Sequence, residues 1–267
     1  MEWLRVQRGD APLVIAFPHG GTNLAGLDDQ FVSPWHARID TDWWIAELYA
    51  FAADMGATLV ATDISRSVID MNRDPSGASL YPGQATTELC PTTTFDGELL
   101  YRFGEPDEAE IMQRLHSYHR PYHDTLTAEL DRLKDAHGKI VLYDAHSIRS
   151  HVPRLFHGEL PLFNIGTNGG TTAAPELETI IANICAASGK SHVVNGRFKG
   201  GWTTRHYGRP DDDVHAIQME LAQRGYMTEP ATFTEANWPT PIDPDPAILT
   251  TLRQSIAAAL DFAKGRQ

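Results

Sequence analysis

Cysteine is scarce. Cys90 and Cys185 are the only two in the chain, which excludes a disulfide framework and a cysteine-rich zinc site. Any metal site must therefore draw on histidine and carboxylates. Basic residues are also short: Lys and Arg number 22 against 35 Asp and Glu, a net charge of −13. Binding to a phosphate backbone needs clustered cations, so nucleic acid is excluded as a partner. No apolar run approaches the ~20 residues of a bilayer span, which excludes a membrane partner. The opening MEWLRVQRGD lacks the charged, apolar and small-residue segments of a signal peptide. The expectation is a cytoplasmic protein. Missing as well are a His-Glu-x-x-His pair, a Gly-x-Ser-x-Gly elbow, a phosphate loop ending in Lys-Ser/Thr and a dinucleotide fingerprint. Zincins, common serine hydrolases, nucleoside triphosphatases and dehydrogenases lose ground accordingly.

What remains is ordinary globular material: 267 residues, 42% of them hydrophobic and 21% charged, enough for one large domain. Short β-branched stretches alternate with longer stretches of helical spacing, the pattern of an α/β domain. The spacing predicts strands at Pro12–Phe17, Ala57–Ala61, Lys139–Tyr143, Leu162–Ile165 and His192–Asn195. It predicts helices over Asp42–Met55, from Pro106 to Gly138 with a break at Pro121, from Pro175, and over Pro246–Lys264. Val214–Met227 reads as a strand, because His215, Ile217, Met219 and Leu221 alternate with Gln218 and Glu220. Residues 74–105, rich in Pro, Gly and Thr, read as a long surface excursion, and loops of that length are usually functional.

In open α/β sheets, ligands bind beyond the carboxyl ends of the strands. Two histidines sit just after predicted strands, His19 in Phe-Pro-His-Gly-Gly-Thr and His146 in Tyr-Asp-Ala-His-Ser. A catalytic zinc typically takes two imidazoles and a carboxylate, leaving an open position. Asp40 or Asp42 could complete the set, with Asp144 orienting an imidazole from behind. The remaining histidines are less telling, and His116, His119, His123 and His137 read as the solvated face of the long helix. Arg66 and Arg73 bracket an apolar stretch and suit planar carboxylates, although taken alone they read as surface ion pairs. Gly200–Gly208, which contains Thr204, Arg205 and His206, reads as a binding loop. Glu220, on a strand face beside Gln218, would be a buried carboxylate, and such groups are paired or catalytic.

Taken together, Pro18-His19-Gly20-Gly21-Thr22, Asp40-Thr41-Asp42-Trp43, Ser65-Arg66 through Asn72-Arg73-Asp74-Pro75, Asp144-Ala145-His146-Ser147, Gly200 through Gly208 and Gln218-Met219-Glu220 resemble the N-formylglutamate amidohydrolase (N-formylglutamate deformylase) family. The likeness runs in order from about residue 10 to about residue 230. It implies a single catalytic α/β domain over 1–267 with an active-site excursion at 74–105. Its mixed, mostly parallel sheet would be flanked by helices, in a zinc-carboxypeptidase-like (phosphorylase/hydrolase-like) fold. It also implies hydrolysis of N-formyl-L-glutamate to formate and L-glutamate, the last step of one histidine degradation route, with Zn2+ or another divalent metal as cofactor. By that likeness His19 and His146 are metal ligands. Carboxypeptidases place a glutamate three residues after the first histidine, where this chain has Thr22, so Asp42 is the expected third ligand and Asp40 its alternative. Glu220 would be the general base and Arg66 a helper at the oxyanion. Asn72 and Arg73 would hold a substrate carboxylate, with Thr204 and Arg205 also binding substrate and Arg66 in reserve for the second carboxylate. Two other readings fit the same residues: a related N-acyl amino acid deacylase, or a carboxylate-binding protein without turnover.

Overall fold

The computed structural model describes residues 1–79, 83 and 86–265. The excursion predicted at 74–105 includes residues 80–82, 84 and 85, which lie outside the described residues. The elements in chain order are β1 (Leu4–Gln7), β2 (Leu13–Phe17), α1 (Ile45–Leu48), β3 (Thr58–Thr62), α2 (Glu108–Arg114), α3 (Arg120–His137), β4 (Ile140–Ile148), β5 (Phe163–Gly166), α4 (Pro175–Ala187), β6 (His192–Val194), α5 (Trp202–Tyr207), β7 (Val214–Ala222) and α6 (Pro246–Ala263). The strands form one seven-stranded sheet in the order β1-β3-β2-β4-β7-β5-β6. The β1–β3 and β5–β7 pairs are antiparallel and the other four pairs parallel, so the expected mixed, mostly parallel sheet is present. Among the described residues no helix is long and apolar enough to cross a membrane.

The period-2 alternation of β2 divides the core. Leu13, Ile15 and Phe17 pack with Ile45 and Leu48 of α1, Leu177 and Ile181 of α4, and Leu252 and Ile256 of α6. On the opposite face Val14 and Ala16 pack against Leu126, Leu130 and Leu133 of α3. Each of the larger of these side chains contributes roughly 1.5–3 kcal/mol when fully buried. The sheet therefore has helices on both faces, with its strand ends left to build a site.

Several local expectations change in ways that bear on that site. The helix predicted over Asp42–Met55 is only α1 and a 3-10 turn at Ala50–Ala52. Asp42 donates its N–H to the carbonyl of His19, 3.0 Å away, and Trp44 adopts φ 58 before α1 begins. A tertiary hydrogen bond thus overrides helical spacing, and Asp42 lies in a turn clamped to the end of β2. The strand predicted to end at Tyr143 runs on to Ile148, because β7 pairs with β4 over all nine residues of both strands. His146 is therefore inside a strand, opposite Glu220. β7 is a strand as expected but ends at Ala222. The presumed binding loop at Gly200–Gly208 contains a short helix, α5. β1 has no counterpart among the predicted strands. The long helix begins with Asp107 capping Glu110 N, as its acidic start suggested. Its break is a wide π-helical turn at Leu115–His119, just ahead of Pro121 at the start of α3.

Candidate metal centre and active site

Four strand ends and one turn converge on the site. His19 follows β2, where Gly21 allows the chain to touch β3: a Cβ at that position would lie 2.4 Å from the backbone of Asp63. Asp144 and His146 project from β4 on the face shared with Leu142, and the register places Gln218 and Glu220 of β7 beside them. That face carries the α3-side core along the first half of both strands and polar groups along the second.

His19, Asp42 and His146 are buried and offer three ligand atoms within 4.8 Å of one another. Nδ1 of His146 lies 3.1 Å from Nδ1 of His19 and 3.2 Å from Oδ2 of Asp42. Nδ1 of His19 is 3.8 Å from the same oxygen. The far side of each ring explains the tautomers. Nε2 of His19 donates to Oδ1 of Asp70 at 2.6 Å, and Nε2 of His146 lies 3.1 Å from Oδ2 of Asp144. With protons on the two Nε2 atoms, both Nδ1 lone pairs and a carboxylate oxygen face a common point. Three acceptors without a proton between them fit a divalent cation, and carboxylates behind ligating imidazoles are the usual support. Asp40 is engaged elsewhere, accepting from Phe95 N at 2.7 Å and from Arg149 at 3.0 Å. Of the two aspartates considered, the structure thus brings Asp42 to the histidines.

Burial and the neighbouring charges pull these groups in different directions. Burial and the neighbouring Arg66 push the His19 imidazole down from its usual value, outweighing the pull of Asp70. Burial works against charge on His146 too, but Asp144, Asp42 and Glu220 overcome it and hold that ring well above the usual value while no cation is present. Asp70 is held well below the ordinary carboxylate range: burial opposes this, and His19, Arg73 and Arg66 outweigh it. Burial pushes the Glu220 carboxyl up to about 8, against the attraction of His146. Gln218 donates to Oε2 of Glu220 at 3.1 Å and accepts from Gly201 N at 2.7 Å, which fixes the carboxyl's orientation.

A cavity of about 70 Å³ opens beside the cluster, and His19, Arg66, Asn72, Arg73, His146 and Glu220 are in its wall. Arg66 is buried rather than on the surface, with Nη1 3.3 Å from Asp42 Oδ1 and Nη2 3.1 Å from Asp70 Oδ2. Arg73 donates Nε and Nη2 to Thr87 O and Oγ1, both at 2.9 Å, which ties the 74–105 excursion to the cavity. Asn72 is engaged within the protein: its Oδ1 accepts from Thr203 N, and its Nδ2 lies 3.0 Å from Nε2 of His146 and 3.4 Å from Asp144. Gly201 is required for this contact, because a Cβ there would lie 2.3 Å from Asn72 Nδ2. Thr204 is buried behind His146, 3.4 Å from Asp144. Neither Thr204 nor Arg205 belongs to the cavity wall.

Sequence reasoning passed over several contributors. Asp70 stood inside the Arg66–Arg73 segment, and an acidic residue among Val68, Ile69 and Met71 is itself a sign of a buried, paired carboxylate. Gln218 was visible only as Glu220's strand neighbour. Arg197, in the wall, left no local signal. His119 and His123 are buried rather than solvated: His123 Nε2 lies 2.8 Å from Met71 O and His119 Nε2 3.1 Å from Arg73 O. Two rings from the long helix thus grip the backbone on either side of Asn72.

Comparison with known proteins identifies relatives. The family model for N-formylglutamate amidohydrolase matches residues 11–227. N-formylglutamate deformylase of Pseudomonas aeruginosa is 51% identical over 235 residues, 87% of this chain and 88% of that protein. The N-formylglutamate deformylase of Pseudomonas putida is 49% identical over 237 residues, with the same shares covered. In three dimensions the chain is similar to an N-formylglutamate amidohydrolase from Ralstonia eutropha, with a TM-score of 0.76 at 22% identity over 99% of this chain and 98% of that one. A protein from Agrobacterium tumefaciens gives a TM-score of 0.70 at 18% identity over 97% and 95%. At such identities these two structures speak for the fold alone.

Proposed function

The chain belongs to the N-formylglutamate amidohydrolase family and hydrolyses N-formylglutamate, and from that premise we propose that the reaction is metal-dependent and runs at the His19, Asp42 and His146 cluster. The observation that carries this reading is the convergence of two imidazole lone pairs and one carboxylate, each backed by a charged partner, next to the buried carboxyl of Glu220. A divalent ion held there, with zinc the best match to two nitrogens and one oxygen, would supply Lewis acidity to the formyl oxygen and the attacking water and would favour the ionised form of Glu220.

The chain's own groups do the rest. Glu220, oriented by Gln218, takes a proton from the attacking water and passes it to the glutamate nitrogen as the C–N bond breaks, releasing formate and L-glutamate. Arg66 faces the cavity and is set to donate to the oxygen that gains charge in the tetrahedral species, a contribution of about 3 kcal/mol per donor. Arg73 takes the substrate's α-carboxylate, with Asn72 holding the neighbouring backbone and α5 in register. On the same reading the enzyme works in the cytoplasm at the end of a histidine degradation route, as one catalytic domain whose 74–105 excursion edges the active site. The test is a side-by-side formate, acetate and succinate release assay on the formyl, acetyl and succinyl derivatives of glutamate and aspartate. Turnover should be confined to, or fastest with, N-formyl-L-glutamate. A preference for another acyl group would instead support a related deacylase.

A further inference from the structure

Asp42 must hold one position although the chain around it has little regular structure of its own. Its turn directly precedes the four residues of α1 and contains Trp44 at φ 58, a left-handed conformation that a bulky residue adopts only where its surroundings impose it. Buried backbone carbonyls in such a turn need donors from elsewhere.

The chain just beyond β7 supplies them. Nε2 of Gln223 donates to the carbonyl of Thr41 at 3.0 Å, and the hydroxyl of Tyr226 donates to the carbonyl of Trp43 at 2.9 Å. These two side chains grip the backbone on either side of Asp42. Between them stands Ser147 of β4. Its Oγ lies 2.6 Å from the Tyr226 hydroxyl and 3.4 Å from Nε2 of Gln223, and its backbone N–H donates to Oδ2 of Asp42 at 3.0 Å. That oxygen is the one beside Nδ1 of His146. Thr41, Asp42, Ser147, Gln223 and Tyr226 are all buried, so bulk water does not compete for these bonds, and each is stronger than it would be at the surface.

We infer that Gln223 and Tyr226 are positioning residues for Asp42, holding its carboxylate towards His19 and His146 through the two flanking carbonyls and Ser147. This assignment rests on the proposed metal reading of the cluster. It also puts two parts of the site under one stretch of chain: Gln218 orients Glu220 within β7, and Gln223 and Tyr226, a few residues on, fix Asp42.

The experiment loads apoprotein with cobalt(II), whose visible absorption reports its ligand set, and measures zinc affinity by competition with a chromophoric chelator. Tyr226→Phe removes the hydroxyl and keeps the ring, and Gln223→Leu removes the other donor. Tyr49→Phe is the control, because Tyr49 is a buried tyrosine of the same core whose hydroxyl faces Tyr143 instead. Tyr226→Phe and Gln223→Leu should each bind zinc about 10-fold more weakly than the parent and alter the cobalt spectrum, while Tyr49→Phe should match the parent in both. In an Asp42→Ala background Tyr226→Phe should weaken zinc no further, since no carboxylate remains to be aimed. Parental affinity and spectrum in Tyr226→Phe and Gln223→Leu, an equal change in Tyr49→Phe, or a further loss in the double variant overturns the assignment. A parent that binds neither ion contradicts the metal reading and the assignment with it, whereas a parent that binds both ions and is matched by its Tyr226 and Gln223 variants contradicts the assignment alone.

Discussion

Asp70 stands 2.6 Å from Nε2 of His19, at the centre of a buried network that also holds Arg66. It fixes the ring's proton on the side away from Asp42 and His146 and so presents the Nδ1 lone pair to the candidate metal cluster. Replacement by alanine frees the ring to rotate and to change tautomer. Asp70→Ala should therefore weaken divalent metal binding by about 10- to 100-fold, read by competition with a chromophoric chelator. Parental affinity in that variant would contradict the role given to Asp70.

In the proposed reaction Glu220 moves the proton, so Glu220→Gln should keep the shape of the site and remove its base. The expected result is a fall in kcat of roughly 10²- to 10⁴-fold with KM little changed. Metal content should be that of the parent. A variant nearly as active as the parent would remove the base from β7.

His123 makes a prediction about pH. Its imidazole is held well below the usual value, first by burial and then by the adjacent His119 and His206, against the pull of Met71 O. Tyr207 and Trp202 enclose the rest of the ring. The unfolded chain therefore takes up this proton more readily than the folded one. The stability due to a neutral His123 is present above pH ~6.5 and declines as pH falls below it. Between pH 6.5 and 5.5 the loss should reach about 1 kcal/mol for this one group. Urea midpoints measured across that window should fall less steeply in His123→Gln than in the parent, and equal slopes would contradict the account.

The sequence pointed to the candidate ligands better than to the geometry around them. His19 was legible because five buried residues of β2 end abruptly at Pro-His-Gly-Gly, a local signal. His146 was found for a partly wrong reason: Asp-Ala-His-Ser looks like a strand ending, whereas the nine-residue ladder with β7 carries β4 straight through it. That ladder is a long-range fact which no window of β4 contains. The same holds for α1, where a hydrogen bond from Asp42 N to His19 O replaced the expected helix. His119 and His123 were assigned to solvent from helical spacing, but the segment 71–73 and Trp202 cover that face. Arg197 follows a short edge strand and has no periodicity to mark it, so only the assembled wall reveals it.

The central claim is that deformylation depends on a divalent ion at His19, Asp42 and His146, and metal stoichiometry measured alongside formate release tests it most directly. Purified enzyme should contain about one tightly held divalent ion per chain, lose formate release when that ion is removed by a chelator, and regain it on addition of zinc. His146→Ala should lose metal and activity together. Full activity in a preparation shown to be free of metal would contradict the account.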